Sequence, residues 1–224
     1  MSAPSPDSPA GFPKVPAASG AARPRGRPRK TADERDEGNR RQLILDGAAR
    51  LFRAQGFDAA STRDIAAAAG MRSGSPFYHF ESKNALLYAV MEEGMQRAVR
   101  SQAQALSGLG DTPPRARLAI LVRHHCDILL GPAGDFVPVM LYEWRSLTPA
   151  QRAAIAQIKA VYEAPWMPVL QALYDAGALR TEPGLARLFI FGALNWAVQW
   201  YRPEGRLSLD ALAAHALALF LAPE

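Results

Sequence analysis

From Asn39 onward, apolar residues recur at helical spacing. Ile44, Ala48, Leu51 and Phe52 fall on one helical face, and Gly56 marks the end of that helix. Strand-like alternation is scarce. Residues 61–69 read as a short helix, with Ser61 as N-cap and Asp64 completing a capping-box-like start. Gly70 supplies the left-handed conformation that ends it. A second short helix is predicted from about Ser73 to Phe80, with Pro76 in its first turn, where a missing N–H costs little. Further breaks at Gly108–Gly110, Gly131–Gly134, Gly177 and Pro203–Gly205 divide the remainder into about six long helices. The last two are expected at 184–202 and 207–222. Helices before Lys83 read as short and tightly connected. Those after it are long and rich in Ala, Leu and aromatics.

The pattern therefore predicts an all-α chain in three parts. Residues 1–37 hold seven of the 18 prolines among small and polar residues, and read as a disordered arm. Residues 38–84 form a small module in which helix, glycine turn and helix make a helix-turn-helix. Residues 85–224 form a larger helical domain. The net charge of +5 points mildly to an anionic partner. Cys126 is the only cysteine, so no internal disulfide forms, which fits a reducing compartment. No signal peptide is evident, and the longest apolar stretch, Leu188 to Tyr201, is too short for a membrane span. A cytoplasmic location with no membrane partner is the expectation.

Ser61-Thr-Arg-Asp-Ile-Ala-Ala-Ala-Ala-Gly70, with Gly74, Phe77-Tyr-His-Phe80, Lys83 and Leu86–Leu87, resembles the DNA-binding domain of the TetR family of repressors. The resemblance covers roughly residues 40–90. It implies that the second helix of the pair enters the major groove and that the domain behind it dimerises and binds an effector. Thr62 and Arg63 then contact a phosphate or base, arginine being suited to guanine O6 and N7. Arg72, Ser73, Gly74 and Ser75 open the recognition helix. Tyr78 and His79 contact the backbone, Lys83 meets a phosphate, and Arg40 and Arg41 are further phosphate candidates. Phe77 stands where the family carries a tyrosine and lacks its phosphate-binding hydroxyl; Pro76 replaces an aliphatic residue. Ile65, Ala66 and Phe80 read as core, and Arg50 and Arg53 as a solvated face.

The segment Arg23-Pro-Arg-Gly-Arg-Pro-Arg-Lys30 carries five positive charges, and its Gly-Arg-Pro centre resembles an AT-hook. An extended chain of this kind fits the narrow minor groove of A·T-rich DNA, with Arg25 and Arg27 as contacts. The alternative is a solvated basic linker.

Residues 85–224 show no catalytic constellation, no phosphate loop and no zinc-type spacing, so neither a cofactor nor a metal is expected. His124, His125 and Cys126 are adjacent on a helix and point about 100° apart. Asp127 and Glu143 read as solvated or salt-bridged carboxylates. A small-molecule pocket between helices would be mainly apolar with a few polar anchors; Arg123, Tyr142, Arg145, Trp166, Asn195 and Gln199 are the candidates. Asn195 to Ser208 resembles the C-terminal domain of a TetR branch that includes repressors of fatty-acid and steroid catabolism, which implies an apolar effector such as an acyl-CoA thioester. The family resemblance also implies a homodimer built on the last two helices, a palindromic operator and repression released by the effector. The rival readings are an architectural DNA-binding protein without an effector, and a basic helical enzyme.

Overall fold

The computed structural model describes residues 32–71, 78–132 and 134–223, with side chains from Gly38 onward. The described residues form helices α1 (Ala32–Gln55), α2 (Thr62–Ala68), α3 (Lys83–Leu106), α4 (Pro114–Leu130), α5 (Phe136–Glu143), α6 (Pro149–Glu163), α7 (Trp166–Asp175), α8 (Pro183–Trp200) and α9 (Leu209–Phe220). A 3-10 turn, Trp144–Ser146, follows α5. Among the described residues no helix is long and apolar enough to cross a membrane.

Helix α1 buries Ile44, Leu45, Ala48, Ala49 and Phe52 in one stripe. It starts at Ala32, seven residues before the apolar periodicity, and its 24 residues correct the expectation that helices before Lys83 are short. Its N-terminal turns carry no apolar stripe, so periodicity had nothing to register there. Gly56, at φ +84°, ends it. Helix α2 begins with the expected capping box: Ser61 Oγ accepts from the Asp64 N–H at 3.1 Å, and the Asp64 carboxylate accepts from the Ser61 N–H at 3.3 Å. The hydrogen bond from Ser61 holds the Asp64 carboxyl below its ordinary value. Gly47 lets α1 and α2 touch backbone to backbone, since a Cβ there would lie 2.9 Å from Ala68 C and Ala69 N.

Between Gly134 and Gly177 the chain makes three helices and the 3-10 turn, where glycine breaks alone marked one segment. Thr148 and Gln151 form a capping box over Pro149 at the start of α6. The bend at Ala164–Pro165 separates α6 from α7. Helices α8 and α9 end within two residues of expectation.

One core runs through the molecule, from Ile44 and Phe52 through Leu86, Met91 and Leu121 to Trp166 and Ile190. Helix α3 packs on α1, α4, α5 and α6, and α4 packs on α7, α8 and α9. The N-terminal helices are thus joined to the rest of the protein by α1 resting on α3 and α5.

Candidate functional site

Two regions carry exposed or enclosed polar chemistry. The first is the N-terminal module. Thr62 opens α2 and is half-buried, with Arg63 beside it and exposed. Tyr78 is 84% exposed, an unusual position for an aromatic ring, and packs edge-on against the half-buried His79 at 5.3 Å. Arg40 and Arg41 are exposed on α1, with the Arg41 guanidinium 5.2 Å from the Phe80 ring centre. Lys83 donates to the Asp58 carbonyl at 3.1 Å and sits over the Phe57 ring at 4.5 Å. Arg25, Arg27, Arg72, Ser73, Gly74, Ser75 and Phe77 lie outside the described residues. Arg50 bonds to the Ala68 carbonyl at 3.0 Å. Arg53 lies exposed, as expected, and from there pairs with Asp135 at 2.9 Å and bonds to the Gly134 carbonyl at 3.1 Å, because α1 rests on the start of α5.

The second region is a cavity of about 370 Å³ among α3, α4 and α5. Gly94, Ala98, Ile128, Phe136 and Val137 make its apolar walls. Arg97, Ser101, His124 and Asp127 supply its polar corner. The Arg97 guanidinium lies 4.4 Å over the Phe136 ring, pairs with Glu93 at 2.7 Å and reaches Asp46 of α1 at 3.4 Å.

A hydrogen-bonded chain leads inward from this corner. Ser101 Oγ lies 2.8 Å from His124 Nε2, and His124 Nδ1 lies 3.3 Å from the Tyr162 hydroxyl. His125 Nδ1 meets the same hydroxyl at 3.0 Å, and His125 Nε2 meets Asn195 Oδ1 at 3.0 Å. Since Asn195 Oδ1 accepts, His125 Nε2 donates and its Nδ1 accepts the Tyr162 proton. Burial pushes the His125 pKa down to about 4, and the Asn195 bond opposes this in part. Burial also lowers His124, and raises the Tyr162 hydroxyl and the Cys126 thiol, the latter to about 11. At neutral pH both histidines are therefore uncharged, and Cys126 is a buried thiol rather than a nucleophile.

The six effector candidates read from sequence do not converge on this cavity. Trp166 is fully buried behind it, 4.7 Å from Phe191 and 6.0 Å from His125 between ring centres. Asn195 is occupied by His125. Arg123 is held by Asp127 and Asp210, which ties α4 to the start of α9. Tyr142 accepts from Gln199 at 3.0 Å on the surface, and Arg145 is exposed in the 3-10 turn. Gly94, Arg97 and Ser101, which line the cavity, were not among the residues singled out from sequence. A glycine and an alanine one helical turn apart on α3, at 94 and 98, were the available signal for a gap in the packing.

Residues 44–90 match the family model described as bacterial regulatory proteins of the tetR family, and residues 111–223 match the tetracyclin repressor-like C-terminal domain. The HTH-type transcriptional repressor KstR2 of Rhodococcus jostii (strain RHA1) is 29% identical over 84% of this chain and 93% of its own length. A TetR-family transcriptional regulator from Bordetella parapertussis 12822 is 30% identical, covering 80% of this chain and 93% of its own, with a TM-score of 0.67. AibR, solved in complex with isovaleryl coenzyme A and operator DNA, is 28% identical over 83% of this chain and 100% of its own, with a TM-score of 0.72. These matches span both the N-terminal module and the helices behind it, and the chain belongs to the TetR family, as a helix-turn-helix transcriptional repressor that binds operator DNA and is not an enzyme.

Proposed function

We propose that this repressor acts in the cytoplasm as a homodimer on a palindromic operator and is released by an acyl-CoA thioester. The carrying observation is the end-to-end similarity to AibR, whose structure holds both an acyl-CoA and operator DNA. The cavity fits this reading, with apolar walls for an acyl chain and a polar corner at Ser101 and His124. The parts divide as residues 1–37 for the basic arm, 38–84 for DNA and 85–224 for effector and dimer. A dimer is supported by Leu188, Phe189 and Trp196 on α8 and Leu219 on α9, which are 59%, 63%, 65% and 79% exposed. Large apolar side chains left exposed on these two helices are the kind of surface that an interface covers. Two heads about 34–36 Å apart would meet successive major grooves on one face of the duplex.

Footprinting the purified protein on genomic fragments, followed by titration with a chain-length series of acyl-CoA esters, tests this. Release by one length class and not by free CoA is expected. No preference for any palindrome, or no release by the series, rejects the respective half.

On the operator so defined, Arg63→Ala is expected to weaken binding by about 1–3 kcal/mol and relax selectivity at one base pair. Tyr78→Phe should weaken it without changing selectivity, and both variants should melt like the parent. Wild-type affinity of both in a gel-shift titration would remove this surface from the interface. Deleting residues 1–30 should lower affinity and flatten its salt dependence, by about 0.9 in the log–log slope for each phosphate that the arm neutralises. An unchanged slope assigns the arm to the solvated-linker alternative.

A further inference from the structure

We infer that Phe136 is the residue through which the cavity senses ligand bulk, and that α5 passes its displacement directly to the DNA-binding head. This rests on the cavity being the effector site.

Helix α5 has eight residues, and its two ends hold the same part of the head. At its start, Asp135 stands at the N-cap position but caps nothing; its carboxylate turns to Arg53 at 2.9 Å, and the neighbouring Gly134 carbonyl accepts from the same guanidinium at 3.1 Å. At its end, Glu143 Oε1 accepts the Phe57 backbone N–H at 2.8 Å, just past the end of α1. Between these grips, Phe136 and Val137 form the cavity wall. Arg97 adds a third tie, stacked on Phe136 and reaching Asp46 of α1. These three connections from the wall all end on α1 or just beyond it.

Against α3, at the wall of the cavity, Phe136 has no slack. A methyl on Gly94 of α3 would come 2.5 Å from Phe136 Cβ and 3.3 Å from its carbonyl carbon. These are backbone and near-backbone atoms, so no rotamer change relieves the clash. Helices α3 and α4 have 24 and 17 residues and run through the core, whereas α5 has eight residues, packs on α1, α3 and α4, and lies between a glycine turn and a 3-10 turn. When a ligand needs more room at Phe136, α5 is the wall that yields. Asp135 and Glu143 move with it, and the head loses its fixed orientation. A ligand that prefers the displaced arrangement then weakens operator binding by that preference and no more.

Gly94→Ala applies the same push with no ligand present. Two quantities are read on the ligand-free full-length protein: operator affinity and hydrogen exchange at the Phe57 amide. The variant, still folding cooperatively, is expected to bind the operator roughly 5–150-fold more weakly, the usual span of allosteric coupling. Its Phe57 amide should exchange faster while amides of α4 and α8 keep their protection. A folded variant with wild-type operator affinity overturns the inference, whatever its exchange. If Gly94→Ala does not fold, the double variant Asp135→Ala/Glu143→Ala decides. It removes both carboxylates, leaving at the start of α5 only the Gly134 carbonyl for Arg53, and spares the packing; weaker operator binding supports the inference, and wild-type binding overturns it. If isovaleryl-CoA and its longer homologues leave the wild-type complex intact, the effector reading fails, while the ligand-free variants still decide how α5 and the head are coupled.

Discussion

Trp166→Ala is expected to destabilise the protein by about 3–5 kcal/mol, as large-to-small changes of a buried aromatic do. Trp166 is 0% exposed and is the largest fully buried side chain among the described residues. Its ring meets Phe191 of α8 and His125 of α4, so its removal opens a cavity where α4, α7 and α8 join. Urea denaturation at fixed protein concentration measures the effect. Trp166→Phe should cost much less, because the indole Nε1–H has no hydrogen-bond partner among the described residues and phenylalanine leaves no orphaned donor. The pair also tests the sequence-based suggestion that Trp166 contacts the effector. A Phe variant with nearly parental stability but strongly altered ligand affinity would restore that role.

Stability should also fall in mild acid, with His125 the main cause. Its folded pKa lies near 4 and the unfolded value near 6.5, so between these limits the unfolded chain binds a proton that the folded chain refuses. The stabilisation is complete above about pH 6.5 and drains away as pH falls toward 4, below which it is constant. A shift of this size corresponds to about 3 kcal/mol. His124, also lowered by burial, acts in the same direction. Unfolding free energies measured from about pH 7.5 to 4.5 should therefore slope downward in the parent, and His125→Gln should flatten that slope. A parallel slope in the variant would show that His125 does not carry the effect.

The end of α1 and both ends of α2 were readable from sequence because their signals are local. Ser61 and Asp64 lie three residues apart, and Gly56 and Gly70 take the positive φ values that helix termination requires. The segmentation after Gly134 needed weaker punctuation, namely Thr148-Pro149 with Gln151, and Pro165. The cavity among α3, α4 and α5 was not readable because it is an absence of side chains, formed where Gly94 and Ala98 of α3 face α4 and α5. Searching for aromatic and polar anchors finds filled space, and Trp166 and Asn195 are indeed occupied by partners within the core. The tie between Arg53 and Asp135 joins positions 82 apart, and no local pattern announces such a pair. Only the packing of α1 on α5 brings them together.

The ridge of Leu188, Phe189 and Trp196 has a consequence for how much of this protein a cell must make. In the proposed dimer these side chains are covered, so a lone subunit would forfeit what their burial contributes and its integrity would be tied by mass action to the abundance of its twin. Its melting temperature should accordingly climb with total protein concentration. At low copy number the same dependence would thin out the DNA-competent species before any metabolite acts, giving the repressor a threshold set by its own expression.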